Sequence, residues 1–206
     1  MYARSTTVRG DPQAIDEGIA YVRDKVMPAV QGMDGFVGLS MLADRESGRC
    51  ILTAAWADRD AMHRSAGGVK AMRRRATEIM GGEADVHEWE IALMHRMHET
   101  HNGACARVIW GQGDPAQMDR MMDTFRMGVL PRVEELPGFC SLSVMLDRDS
   151  GRMATAVCYD SRQSMAEAEQ PGMALRQDAA REMGTEITEV AAFDIVLAHL
   201  RVPETV

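Results

Sequence analysis

Lysine is almost missing from this chain: Lys25 and Lys70 are the only two in 206 residues, beside abundant arginine. That scarcity reads as genome composition. Basic residues are outnumbered, with 23 Lys and Arg against 31 Asp and Glu and a formal net charge of −8 at pH 7. Nucleic acid needs a concentrated basic face, so it is not an expected partner. Arg73-Arg74-Arg75 is the only basic cluster, either a solvated helix face or an anion contact. Long apolar runs are missing too. No stretch approaches the roughly 18 uninterrupted apolar residues of a membrane span. Residues 1–7 lack the apolar run of a signal peptide, so the expectation is a cytoplasmic protein away from membranes. Four cysteines, Cys50, Cys105, Cys140 and Cys158, show no Cys-x-x-Cys spacing and read as buried free thiols. No Gly-rich phosphate loop follows a strand, and no Gly-x-Ser-x-Gly elbow is present.

What is present is a duplication. At an offset of 103 residues, Gly10-Asp11-Pro12 meets Gly113-Asp114-Pro115, Met27-Pro28 meets Leu130-Pro131, and Asp44–Arg49 meets Asp147–Arg152. Arg4 falls on Arg107. Past a one-residue insertion before Val190, Trp89-Glu90-Ile91 meets Phe193-Asp194-Ile195 at an offset of 104, and His95 meets His199. Two repeats are too few for a solenoid. They read as two similar domains, residues 1–97 and 104–206, joined by a linker over 98–103.

Each repeat spells the same element order. Ala3 to Val8 is a short strand stopped by Gly10. Asp11-Pro12 offers an N-cap and a first-turn proline. Ile15, Ile19, Val22, Val26 and Val30 then form one helical stripe, repeated as Met118, Met122, Phe125, Val129 and Val133. Phe36 to Leu42 and Cys50 to Trp56 are strands around a turn rich in Asp, Ser and Gly. Asp58 caps a second helix running to Met80, with a break expected at Gly67-Gly68 and a stop at Gly81-Gly82. Pro171-Gly172 interrupts the matching helix. Val86 to Met94 is a last strand, with Trp89, Ile91 and Leu93 on one face. The order β-α-β-β-α-β is a split βαβ, ferredoxin-like unit of the α+β class. Helices cover one face of such a sheet and leave the other needing cover. A tethered second copy provides it, giving an internal pseudo-dimer in which further self-association remains open.

Asp34-Gly35-Phe36, Trp56-Ala57-Asp58-Arg59-Asp60-Ala61-Met62 and Trp89-Glu90-Ile91, with Pro137-Gly138-Phe139, Tyr159–Met165 and Phe193-Asp194-Ile195, resemble the antibiotic biosynthesis monooxygenase-like group of dimeric α/β barrels. The resemblance covers nearly the whole chain. It implies an intramolecular dimeric α/β barrel and, as activity, oxygenation of a small aromatic or quinol-like molecule without metal or organic cofactor. A non-catalytic binding or accessory protein of the same fold is the alternative. Relatives that degrade haem carry an Asn on the first strand and an axial His on the second helix. Here the first strand offers Arg4, Ser5, Thr6 and Thr7, and the helix offers Met72, Arg73 and Arg74, so haem is not expected.

Oxygenation without a cofactor requires an electron-rich phenolate or enolate, a base and a dry pocket. The resemblance puts that pocket between the helices and the sheet within one copy. His63 is the candidate base, because its ordinary pKa is near neutrality; its counterpart is Ala166. Arg73 and Trp56 complete the expected catalytic set. Ser40, Tyr159, Ser143 and Arg176 are the expected substrate contacts. Each also has a plain structural reading as core aromatic, small strand residue or surface ion pair. His95, His98 and His101 invite a metal reading, but this stretch leaves a strand and enters a linker. The three-residue step therefore does not align them as it would on a helix, and no metal is expected.

Overall fold

The computed structural model describes residues 1–200 and 202–205. The first repeat contains β1 (Tyr2–Arg9), α1 (Ile15–Tyr21), α2 (Met27–Gln31), β2 (Phe36–Asp44), β3 (Arg49–Trp56), α3 (Arg59–Arg64), α4 (Ala66–Met80) and β4 (Glu83–Arg96). The second contains β5 (Cys105–Gln112), α5 (Met118–Thr124), α6 (Leu130–Glu134), β6 (Phe139–Asp147), β7 (Arg152–Tyr159), α7 (Arg162–Glu167), α8 (Glu169–Met183) and β8 (Glu186–Leu200). Among the described residues no helix is long and apolar enough to cross a membrane.

The strands form a closed antiparallel barrel in the order β1-β3-β2-β8-β5-β7-β6-β4, the ferredoxin-like α+β architecture. Packing divides the chain into two compact units, Met1–Trp89 with Asp194–Val202, and Glu90–Phe193 with Pro203–Val206. In the first unit β3 pairs with β1 from Tyr2↔Trp56 to Arg9↔Arg49 and, on its other side, with β2. β2 in turn pairs with β8, from Leu39↔His199 to Ala43↔Asp194. In the second unit β7 lies between β5 and β6, and β6 pairs with β4 from Leu146↔Glu90 to Ser141↔Arg96. The last strand of each repeat therefore belongs half to one unit and half to the other.

The helical stripe is buried as its spacing predicts: Ile15, Ile19, Val22, Val26 and Val30 pack against Val8, Leu39, Met41 and Cys50. Met118, Met122, Phe125, Val129 and Val133 do the same against Leu142, Val144 and Val157. The helix is not uniform, however. Val22–Val26 and Phe125–Val129 are π-helical turns. Pro28 and Pro131 have no N–H to donate and crowd the preceding turn. The backbone responds with a longer loop, in which Met27 N–H reaches Val22 O and Leu130 N–H reaches Phe125 O.

The break in the next helix falls at Ser65, ahead of the expected Gly67-Gly68. Ser65 Oγ donates to the carbonyl of Met62 at 2.7 Å, and both glycines sit inside α4. Likewise Pro171 lies in the first turns of α8, where a missing N–H does no harm. Gly81 and Gly184 end α4 and α8 in left-handed conformation, at φ of 68° and 64°. β4 alternates less regularly than expected. A bulge between Ile91 and Leu93 turns Ala92 inward, so Trp89, Ile91, Ala92, Leu93 and Met94 are all buried.

Candidate functional site

Each unit encloses a cavity between its helices and its sheet, and the duplication relates the two. The first, about 50 Å³, is bounded by Leu39, Leu52 and Ala54 from strands and by Val26, Val30, Met72 and Ala76 from helices. The second, about 80 Å³, has Leu142, Thr155, Val157, Val129, Val133, Leu175 and Ala179 at the matching positions. Both are small beside the roughly 300–1,000 Å³ of ligand pockets. A ring-sized ligand enters either only if a helix or a side chain such as Met72 moves.

The lining of the first cavity is mostly apolar, and Arg4, Thr6, Trp56 and Arg73 are its polar members. Arg4 projects from the middle of β1 and is 7% exposed. Its Nη2 and Nε donate to Glu88 Oε1 at 2.7 and 3.1 Å, and its Nη1 donates to Ser65 Oγ at 3.2 Å. Trp56, at the end of β3, is fully buried, yet its indole N–H has no acceptor. Buried donors are almost always paired, so an orphan in a cavity wall is a functional pointer. Phe36 packs edge-on to this indole, ring centroids 5.7 Å apart, and fixes its orientation. Arg73 comes from α4. Burial, and then the positive charge of Arg4, hold its pKa below the ordinary arginine value, with Glu88 opposing them. It remains a cation at neutral pH. Among the described residues no carboxylate forms an ion pair with it. The lining contains no His, Cys, Asp or Glu, and so offers no ligand set for a metal.

The second repeat distributes the same charges differently. Arg107 is 6% exposed, and together with Arg176 it engages Glu169 on α8. Arg107 Nη1 is buried without a partner. Its guanidinium lies over the ring of Tyr159, 6.0 Å from the centroid. Burial pushes the Tyr159 phenol up, partly offset by the two arginines. One acid thus bridges both guanidiniums here. In the first repeat the acid is on β4, is hydrogen-bonded by Arg4 and His63, and acts on Arg73 only through its charge.

The structure brings together Trp56 and Arg73 and places Arg176 on the second cavity. The other expected site residues lie elsewhere. His63 is on the outer side of α3, because Ala61 and Met62 take the buried side. Its ring is 51% exposed, and Nε2 sits 3.0 Å from Glu88 Oε2. Ser40 and Ser143 fall on the strand face opposite Leu39 and Leu142, since strand side chains alternate. Tyr159 is core, 1% exposed, and does not line the second cavity. Arg4, Arg107, Glu88 and Glu169 were missed as site residues. The available signal was an arginine repeated at the centre of a strand otherwise buried, where an unpaired charge is not tolerated.

Solved structures with this fold include one described as a "putative monooxygenase" from Fusobacterium nucleatum, with TM-score 0.72 at 10% identity over 97% of this chain and 94% of that one. An anthrone oxidase-like protein superposes with TM-score 0.69 at 12% identity over 99% and 94%. A ferredoxin-fold protein related to antibiotic biosynthesis monooxygenases from Listeria monocytogenes gives 0.55 at 9% identity over 95% and 94%. The fold is that of the monooxygenase-like dimeric α/β barrels. No family profile matches the chain. Two Mycobacterium tuberculosis H37Rv proteins do match along its whole length at 47% identity: uncharacterized protein Rv2557, 92% of which is covered, and uncharacterized protein Rv2558, 88% of which is covered. The chain belongs to the family of these mycobacterial proteins.

Proposed function

We propose that the first repeat binds the anionic oxygen of a small phenol or quinol in its cavity and exposes the ring to O2, as a cofactor-independent monooxygenase. The observation that carries this reading is that an orphan indole N–H and a guanidinium in no ion pair line the same mostly apolar cavity. In a dry site such donors stabilise a phenolate far more than water would. The anthrone oxidase-like protein of the same fold supports the substrate class. The reaction balances for a methylene carbon activated by the phenol. That carbon loses both hydrogens and gains one oxygen atom of O2 as a carbonyl. The other oxygen atom leaves with the two hydrogens as water, and the ionised ring supplies the electrons. Trp56 and Arg73 touch the substrate oxygen, and Arg4 completes the positive wall. His63 stands outside and acts only through Glu88.

A specific observation favours a second reading, a binding protein without turnover: no residue of the lining can take a proton at neutral pH. Oxygen uptake separates the two. With an anthrone or quinol and a chelator present, the protein consumes one O2 per molecule of substrate oxidised, and Arg73→Leu and Trp56→Phe lose most of that rate. Losing a charged hydrogen bond of about 1.5–3 kcal/mol corresponds to roughly 10- to 150-fold. Binding with no oxygen uptake establishes the second reading. Unchanged affinity and rate in both variants removes the cavity from consideration.

A further inference from the structure

A second cluster of reactive side chains lies away from either cavity. His98 and His101 come from the linker, Cys140 from β6, and Asp160 from just beyond β7. Asp160 Oδ1 is 3.1 Å from Cys140 Sγ, 3.3 Å from His101 Nε2 and 3.6 Å from His98 Nε2. The ligand atoms of His98, Cys140 and Asp160 all lie within 4.8 Å of one another. Backbone bonds hold the segments in place. Met97 N–H donates to Cys140 O at 2.8 Å, Asp160 N–H to Gly138 O at 2.9 Å, and Ala104 N–H to His101 O at 3.1 Å.

The tautomers matter most. His98 Nδ1 is 3.3 Å from Glu99 O, and His101 Nδ1 is 3.0 Å from Asn102 O. A carbonyl only accepts, so each Nδ1 carries a hydrogen, and a ring that gives up any Nε2 hydrogen turns that nitrogen's lone pair toward Asp160. Two imidazole nitrogens and the Cys140 sulfur then surround one carboxylate oxygen of Asp160. Either protons or a metal cation can join such a set of donor atoms.

We propose that His98, His101, Cys140 and Asp160 form a site for a zinc-class divalent cation that pins the linker onto the second repeat. Bonds of about 2.0–2.3 Å in a tetrahedron place ligand atoms roughly 3.3–3.8 Å apart, close to the three separations from Asp160 Oδ1, and the exposed His101 ring closes the remaining distance by a side-chain rotation. Four protein ligands close the coordination sphere, which marks a structural rather than a catalytic site. Binding replaces the S–H bond by a sulfur–metal bond and releases the thiol proton to solvent. The site exists only once in the duplication, since Cys140 and Asp160 correspond to Val37 and Ala57. The spacing argument against a metal applies to His95, which turns instead to Glu134 at 2.7 Å. It fails for His98 and His101, because the other two ligands arrive from distant segments that no local spacing reveals.

Cobalt(II) titration of the chelator-treated full-length chain tests this. We expect one Co(II) per chain, with thiolate-to-cobalt charge-transfer absorption, proton release, and displacement by Zn(II). Cys140→Ser removes the charge-transfer band. His98→Ala/His101→Ala, whose side chains are exposed and whose fold is checked by circular dichroism, loses the site. Absence of a charge-transfer band in the parent chain, or equal Co(II) binding by the double variant, overturns the proposal and leaves a proton-bridged His–Asp cluster.

Discussion

Glu88 holds Arg4 through a single carboxylate oxygen, 2.7 Å from Nη2 and 3.1 Å from Nε. The other oxygen is left for His63. Burial alone raises the Glu88 pKa, but hydrogen bonds and charge from Arg4 and His63 outweigh it and hold the carboxyl below its ordinary range. A group depressed in the folded state stabilises the protein above its unfolded value and loses that contribution as pH falls through the folded value. Glu88→Gln is expected to destabilise by about 1–2 kcal/mol at pH 7, at the low end because the side chain is 44% exposed. The gap to the parent chain should close as pH falls below about 4. Denaturant unfolding at stepped pH checks this, and a gap that persists undiminished into strong acid contradicts it.

Cys50 is 1% exposed, and burial pushes its thiol up to about 11. Thiolate is the reactive form. Iodoacetamide at pH 8 should leave Cys50 unmodified in the folded protein and alkylate it in denaturant, as read by peptide mass spectrometry. Rapid labelling of the native chain would show that the residue is accessible.

Gly48 occupies a left-handed position, φ 75°, and a Cβ there would lie 2.1 Å from the carbonyl oxygen of Gly10. Gly151 repeats this against Gly113 at 2.2 Å. Gly48→Ala combines backbone strain with a backbone clash and should lower stability by about 1–3 kcal/mol. Thermal unfolding measures the loss. A neutral outcome would mean the turn can re-form elsewhere.

Residues 1–97 expressed alone lack the β8 segment that pairs with β2 from Leu39↔His199 to Ala43↔Asp194. They also carry an unpartnered β4 segment from Glu90 onward. Open strand edges invite pairing with another chain. The half-chain is expected to dimerise or precipitate, as judged by light scattering after size exclusion. A stable, soluble monomer is incompatible with this strand arrangement.

The framework was legible because its signals are local and written twice. Asp11 and Asp114 cap as expected, accepting from Gln13 N–H and Ala116 N–H, and the Ile15-to-Val30 stripe is buried throughout. The π-turns were not, because the uninterrupted stripe from Ile15 to Val30 hides the extra residue that Pro28 imposes on the turn before it. Of the residues that line the cavities, Trp56, Arg73 and Arg176 were readable as large or charged residues repeated at matching positions. His63 was misplaced by its angular position: Met62, one residue earlier, takes the buried side. Ser40 was misplaced by strand phase, one residue from Leu39. Arg4 and Glu88 are separated by most of a repeat, and only folding pairs them.

The division of each terminal strand between two units ties the fate of the copies together. A recombination that removed one repeat would also remove half a strand from the survivor's sheet and leave strand edges open. Fusion also grants a freedom that a symmetric homodimer lacks. There every substitution appears in both pockets at once, whereas here Arg176 can acquire Glu169 while Arg73 stays unpaired. The two halves of the molecule are thereby free to differ in the groups that line their cavities.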